Sequence, residues 1–176
     1  MVTSNEFSHI VKLDEIGAGA SNVALSADLA ARNGLAARFD LAALDSLEAD
    51  LAVSRDAKGV LAKGRIRATL SQYCVATGDP VPALLDEPMI IRFVAEPVVR
   101  TDAEIELEAD DCDTMFYDGQ SVDLGEAVAQ SLGLALDPYP RSPDAHKQLK
   151  AAGVKAEDEV ETLGALAGLR DMLAKK

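Results

Sequence analysis

The sequence predicts an α+β fold, in which an antiparallel β-sheet meander is covered by two main helices. Two different spacings of the apolar residues along the sequence predict this fold. Residues near 47–54, 60–74 and 81–95 alternate between apolar and polar types, and short turns containing Gly or Pro separate the three stretches, which is typical of consecutive antiparallel strands. Over 27–38 and 122–136, by contrast, the apolar residues recur at helical spacing.

The N-terminal region is expected to supply one more strand of this sheet and the first helix. A strand is predicted near 7–13, which reads Phe-Ser-His-Ile-Val-Lys-Leu and leads into a turn at Gly17. Ser26 is a favourable N-cap residue, and Asp28 would then lie in the first turn, where a carboxylate favours the positive end of the helix dipole. The first helix is therefore predicted to begin directly after Ser26.

The strand near 60–74 has one apolar and one basic face. Lys63, Arg65 and Arg67 share the basic face. Two interpretations remain open for these cations. They pair across strands with Glu48 and Asp50, or they contact the phosphates of a nucleic acid.

An acidic segment follows the third of the alternating stretches. Residues 96–118 hold nine acids and one base, a local charge of −8. We expect a solvated loop whose carboxylates attract a basic partner. Those assigned to partner binding are Asp102, Glu104, Glu106, Glu108, Asp110, Asp111 and Asp113. The run from Asp110 to Asp113 lacks the glycine that a calcium loop needs at its sixth position, so no metal site is predicted.

The second helix is predicted over 122–136, with Ser121 as its N-cap. Leu124, Val128 and Leu132 fall at i, i+4 and i+8, and Leu134 is expected beside them on the apolar stripe. The helix is expected to end at the motif Asp137-Pro138-Tyr139-Pro140-Arg141, because proline cannot continue a helix. A tyrosine held between two prolines is also a rigid docking element, and both interpretations of the motif remain open.

Length and composition set the class of protein. The 176 residues are enough for one domain, predicted over 1–141, followed by a polar tail over 142–176 that ends in a short amphipathic helix. A net charge of −13 argues against binding nucleic acid through bulk charge. The chain shows no membrane-length apolar run and no secretory signal. Its two cysteines, Cys74 and Cys112, lie far apart without a CxxC partner, so we expect a protein of the reducing cytoplasm. The residues assemble no catalytic set, cofactor motif or small-molecule site.

Several motifs occur together along the chain: Glu6-Phe7-Ser8, Val11-Lys12-Leu13-Asp14-Glu15-Ile16, Cys74-Val75-Ala76-Thr77, Pro80-Val81-Pro82, Arg92-Phe93-Val94, and the run from Val122 through Asp137-Pro138-Tyr139-Pro140-Arg141. Together they resemble the alphaproteobacterial branch of the YceD family, the large ribosomal RNA subunit accumulation proteins. The resemblance departs from the family at one point. Many relatives carry a CxxC pair that implies a zinc site, whereas here the first position is Cys74 and the second is Thr77.

The resemblance implies a non-enzymatic factor that supports the synthesis, processing or stability of large-subunit (23S) ribosomal RNA during ribosome assembly. Its partner is expected to be a basic ribosomal protein or assembly factor bound by the acidic segment. The alternative is direct ribosomal RNA binding through Lys63, Arg65 and Arg67. A metal-dependent ribonuclease using the cluster from Asp110 to Asp113 is the third hypothesis.

Overall fold

A computed structural model describes residues 6–95, 113–117 and 119–155 of the chain. Seven strands and three helices lie within these ranges. In chain order they are β1 (Ile10–Lys12), β2 (Ser21–Ser26), α1 (Leu29–Arg38), β3 (Leu41–Asp56), β4 (Gly59–Tyr73), β5 (Pro80–Ala95), β6 (Asp113–Tyr117), β7 (Ser121–Asp123), α2 (Leu124–Ala135) and α3 (Ala145–Ala151).

The strands form two sheets. The larger has five strands in the order β2-β3-β4-β5-β6, and its long central strands β3, β4 and β5 are joined as the predicted antiparallel meander. Only β6 pairs parallel, alongside the last residues of β5. The smaller sheet consists of β1 and β7. The α+β fold class is therefore confirmed.

One hydrophobic core lies on the inner face of the five-stranded sheet. Both α1 and α2 contribute to it, and the predicted stripe of Leu124, Val128 and Leu132 on α2 is fully buried. Leu134 is not on this stripe, contrary to the prediction, because its side chain is 79% exposed. An ion pair between Arg38 Nη2 and Glu126 Oε1, at 2.8 Å, joins the two helices at the surface.

The predicted strand near 7–13 is wrong in both extent and sheet. The strand is limited to Ile10–Lys12 and pairs with β7, so it is not part of the five-stranded sheet. The carboxylate of Asp123 explains this position. It accepts hydrogen bonds from Ser8 Oγ at 2.7 Å and from the His9 N–H at 2.8 Å. The first strand is thus bound to the start of α2.

Strand β2 was not predicted, and it changes the start of the first helix. Ser26 is the last residue of β2, and the N-cap of α1 is Asp28, whose Oδ1 accepts from the Ala31 N–H at 2.8 Å. The second helix also begins later than predicted, because Asp123 rather than Ser121 is its N-cap. In each case the serine lies in a strand, two residues before the capping aspartate.

The structure also differs from the predictions for the acidic segment and the tail. Residues 113–117, which were predicted to belong to a loop, form β6; residues 96–112 and 118 lie outside the described ranges. Within the tail, α3 was not predicted, and its Ala145 is buried. The terminal helix expected after residue 160 lies outside the described ranges. No helix among the described residues is long and apolar enough to span a membrane.

Replacing Asp123 with alanine is expected to destabilise the fold by roughly 1–3 kcal/mol, because one carboxylate caps α2 through the Glu126 N–H and also holds residues 8 and 9. Asp28→Ala is the matched control, since Asp28 caps α1 through one N–H. It should cost about 1 kcal/mol. Urea unfolding of both variants measures the difference, and an equal loss would contradict the double role of Asp123.

Candidate partner-binding surface

The predicted basic face of β4 is present on the outer side of the sheet, but its arginines are neutralised. Arg65 Nε donates to Asp86 Oδ1 at 2.8 Å, and Arg65 Nη2 donates to the Asp86 carbonyl at 2.9 Å. These hydrogen bonds raise the pKa of Arg65 and lower that of Asp86. The charge of Arg65 is therefore matched by a carboxylate of β5.

Arg67 is neutralised from the other side of β4. Its Nη2 donates to Asp50 Oδ2 of β3, as the interpretation of cross-strand pairing predicted. The pairing is diagonal, because Arg65 rather than Arg67 stands opposite Asp50 in the register. Of the two acids named in that interpretation, Asp50 forms the ion pair, whereas Glu48 is opposite Arg67 without one among the described contacts.

Lys63 is the remaining cation of the predicted face. It is exposed, and no ion pair to it is present in the described part of the chain. Further along the same face, Arg92 Nη1 contacts Asp56 Oδ1 at 3.0 Å. The outer face therefore alternates cations with carboxylates and does not form a continuous basic patch.

The acidic segment comes directly after β5 in the sequence and includes β6. It follows Ala95, the last residue of β5, and Asp113 is the first residue of β6. In the parallel register Asp113 lies beside Ile91, and Tyr117 lies beside Ala95. Of the seven acids predicted to bind a partner, Asp113 is described and exposed. The other six lie outside the described residues, and their role stays a prediction.

The Asp137–Arg141 motif follows the C-cap residue of α2 and is hydrogen-bonded to the C-terminal end of β4 and the residues after it. Gln72 Nε2 donates to the Asp137 carbonyl at 2.8 Å, and the Val75 N–H donates to the Pro140 carbonyl at 2.9 Å. Pro140 is buried, while the Tyr139 side chain is 73% exposed. The backbone is thus held in place and the aromatic ring is accessible, which is compatible with both interpretations of the motif. Docking through it stays a prediction.

A contact that the sequence did not indicate joins Cys74 to the segment after this motif. Cys74 is buried, and its Sγ accepts from the Ser142 N–H at 3.3 Å. Hydrogen bonds from the Thr77 side chain and from that N–H lower the pKa of the thiol from 9.0 to about 6. Cys74 and Ser142 are 68 residues apart. Thr77, the larger cause of the lowered pKa, is close in sequence, whereas no local pattern indicates the contact with Ser142.

The residues around Cys74 do not fit the zinc site that the family resemblance implies. A structural zinc needs four ligands, most often cysteine and histidine. Here the second CxxC position is Thr77, whose side chain hydrogen-bonds to the thiol. Across residues 6–95, 113–117 and 119–155, no three His, Cys, Asp or Glu side chains are grouped so as to hold a metal ion. His9 directly precedes β1, whereas His146 lies on α3.

Comparison with known proteins identifies a family. A family model described as large ribosomal RNA subunit accumulation protein YceD matches residues 62–171, which is more than half of the chain. The match begins within β4 and includes Cys74, Thr77 and the Asp137–Arg141 motif, so the resemblance to the YceD family is confirmed. The branch within the family stays a prediction, and the motifs at 6–8 and 11–16 lie outside the match. Neither the curated proteins nor the solved structures gave a match.

Proposed function

This chain belongs to the YceD family of large ribosomal RNA subunit accumulation proteins, and from that membership we propose that it is a non-enzymatic binding factor of ribosome assembly. Its family role is the accumulation of large-subunit ribosomal RNA. It acts in the cytoplasm by holding a basic ribosomal protein or assembly factor. The acidic segment, residues 96–118, provides the binding charge.

The negative charge of the acidic segment supports a basic partner. The segment carries −8 of the chain's net −13, so more than half of the excess negative charge is concentrated in 23 residues. A field of one sign speeds the encounter with an oppositely charged protein and disfavours partners of the same sign. Ribosomal RNA is polyanionic and would be repelled by the same field.

The single observation that carries the proposal is the ion pairing of the basic face. A protein that binds RNA through phosphates replaces condensed counterions with Lys and Arg side chains. Arg65 and Arg67 already have carboxylate partners, Asp86 and Asp50. Phosphate contact would have to break these pairs and bring the phosphate close to the released carboxylates.

Direct RNA contact is the second candidate. The observation in its favour is Lys63, which is exposed and has no ion pair within the described residues. One lysine beside two neutralised arginines is a weak electrostatic site, because the salt-dependent affinity grows with the number of phosphates neutralised. A ribonuclease using the cluster from Asp110 to Asp113 is the third hypothesis, and magnesium-dependent cleavage of labelled ribosomal RNA by the purified protein would reveal it.

The test compares two charge variants by affinity purification from the native cell, with and without nuclease. In the first variant, Asp102, Glu104, Glu106, Glu108, Asp110, Asp111 and Asp113 are replaced with Asn or Gln. We expect it to lose a copurifying Lys/Arg-rich protein and to fail to restore large-subunit ribosomal RNA in cells that lack the wild-type protein. Nuclease treatment should leave the wild-type interaction intact, because protein contacts hold the partner.

The matched control replaces Lys63, Arg65 and Arg67 with Gln, which changes the charge of the sheet face and leaves the acidic segment unchanged. This control should retain the partner and restore the RNA. Loss of binding in the control, together with nuclease sensitivity of the wild-type complex, would favour the RNA-contact alternative. Full activity of the acid-neutralised variant would refute the proposed role of the segment.

A further inference from the structure

Leu134 is anomalous on its helix. Leu124, Val128 and Leu132 of α2 are fully buried, whereas Leu134, near the C-terminal end of the same helix, is 79% exposed. A single exposed leucine needs no explanation by itself. Leu134, however, lines a groove between the end of α2 and strand β5.

Most of the residues that line the groove are apolar, and the groove is open at its rim among the described residues. Its volume is about 230 Å³, enough for one or two side chains, and the buried Ile66, Met89 and Ile91 lie at its floor. The exposed Leu134 lies at the rim. The groove can therefore accept an apolar side chain from outside.

The rim of the groove is negatively charged. Glu87 and Asp113 both line it, both are exposed, and neither forms an ion pair in the part of the chain that the structure describes. No Lys or Arg is among the lining residues. Asp113 is also the last of the seven acids predicted to bind a partner, and the described one of them thus lies at the groove.

No strand that the structure describes pairs with the edge of β5 at this position. Strand β6 pairs with β5 from Ile91 onward, so Glu87 and Ile90 precede the paired part. In addition, Pro88 has no N–H to offer to a further strand. A segment that enters the groove would thus displace no strand that the structure describes.

From these contacts we propose that the groove between α2 and β5 binds an apolar side chain of a basic, amphipathic segment of the partner protein. The apolar side chain enters beside Leu134, and flanking Lys or Arg side chains pair with Glu87 and Asp113. An apolar centre with a charged rim is the usual arrangement of a protein interface. The inference rests on the proposed function and adds the place and the chemistry of the contact.

The experiment places a photoreactive side chain at the groove. Leu134→p-benzoylphenylalanine is cross-linked to the protein fraction extracted from purified large ribosomal subunits, and cross-linked proteins are identified by mass spectrometry. Leu84→p-benzoylphenylalanine is the matched control, because Leu84 is equally exposed, at 80%, but lies away from the groove on β5. We expect a Lys/Arg-rich protein to cross-link at position 134 and not at position 84.

The affinity of purified variants for the protein so identified is the second readout. Leu134→Gln and Glu87→Gln should each weaken binding, the former by about tenfold, as expected for an anchor residue of an interface, while Leu84→Gln leaves the Kd unchanged. Equal cross-linking at both positions, or unchanged affinity of Leu134→Gln, would overturn the inference. If the acid-neutralised variant still loses the partner in that case, the groove is refuted and the proposed function stands. If the wild type binds no basic protein, both fail.

Discussion

Replacing Gly64 with alanine should destabilise the protein by about 3 kcal/mol or more, a large share of the roughly 5–15 kcal/mol that stabilises a domain. Gly64 lies in the middle of β4, with β3 on one side and β5 on the other. A Cβ atom there would lie 1.9 Å from the Asp50 carbonyl oxygen and 3.0 Å from the Leu51 Cα. Both atoms belong to the backbone of β3, so no side chain can rotate away. The long β3–β4 pairing would have to separate locally.

Gly19→Ala is the matched control. A Cβ at Gly19 would have no heavy atom within 4 Å, and we expect its free energy of unfolding to change by less than about 1 kcal/mol. Urea unfolding followed by far-UV circular dichroism measures both variants. Similar stability of Gly64→Ala and wild type would show that β3 and β4 approach less closely than described.

The second large expected effect is that Cys74 makes the stability of the folded protein depend on pH. The thiol has a pKa of about 6 in the folded protein, compared with 9.0 ordinarily. Between these values the folded protein holds a thiolate while the unfolded chain holds a thiol, so unfolding takes up a proton and stability rises with pH. The contribution is complete above pH 9 and is lost as the pH falls through 6.

The measurement is the Tm difference between the parent protein and Cys74→Ser from pH 5 to 9.5, in a Cys112→Ser background that removes the second thiol. We expect the difference to grow between pH 6 and 9. Thr77→Val should raise the pKa of the thiol and move this rise to higher pH, because the Thr77 hydrogen bond is the largest cause of the lowered value. Thiolate absorbance near 240 nm reports the same titration directly. A constant Tm difference would contradict the thiolate.

Regular alternation made β4 and β5 predictable. Strand β3 was predicted over only half of its length, because register shifts occur between Leu41 and Ala43 and between Leu44 and Ser46. These irregularities place Leu41, Leu44 and Leu47 on the buried side at intervals of three residues, which breaks the two-residue period. Strand β2 was missed because its small polar residues, such as Ser21 and Asn22, carry a weak strand signal.

Contacts of the candidate sites could be predicted where they join adjacent strands of one sheet. The diagonal pair of Arg67 and Asp50 follows from a hairpin register that the alternation predicts. The partner of Arg65, Asp86, belongs to the next strand and needed the β4–β5 register as well. The Cys74–Ser142 contact and the groove beside Leu134 depend on how α2 and the chain after it pack against the sheet, which no local spacing reports.

The attachment of β1 to β7 determines when this protein can finish folding as it is synthesised. Residues 8 and 9 are held by Asp123, more than 110 positions later in the chain. At a translation rate of about 5–20 residues per second, the N-terminal segment is synthesised roughly 6–23 s before its binding site exists. During that interval the buried side chains of Phe7 and Leu13 have no α2 to pack against. Until the second helix emerges, we therefore expect the nascent chain to expose these two apolar side chains.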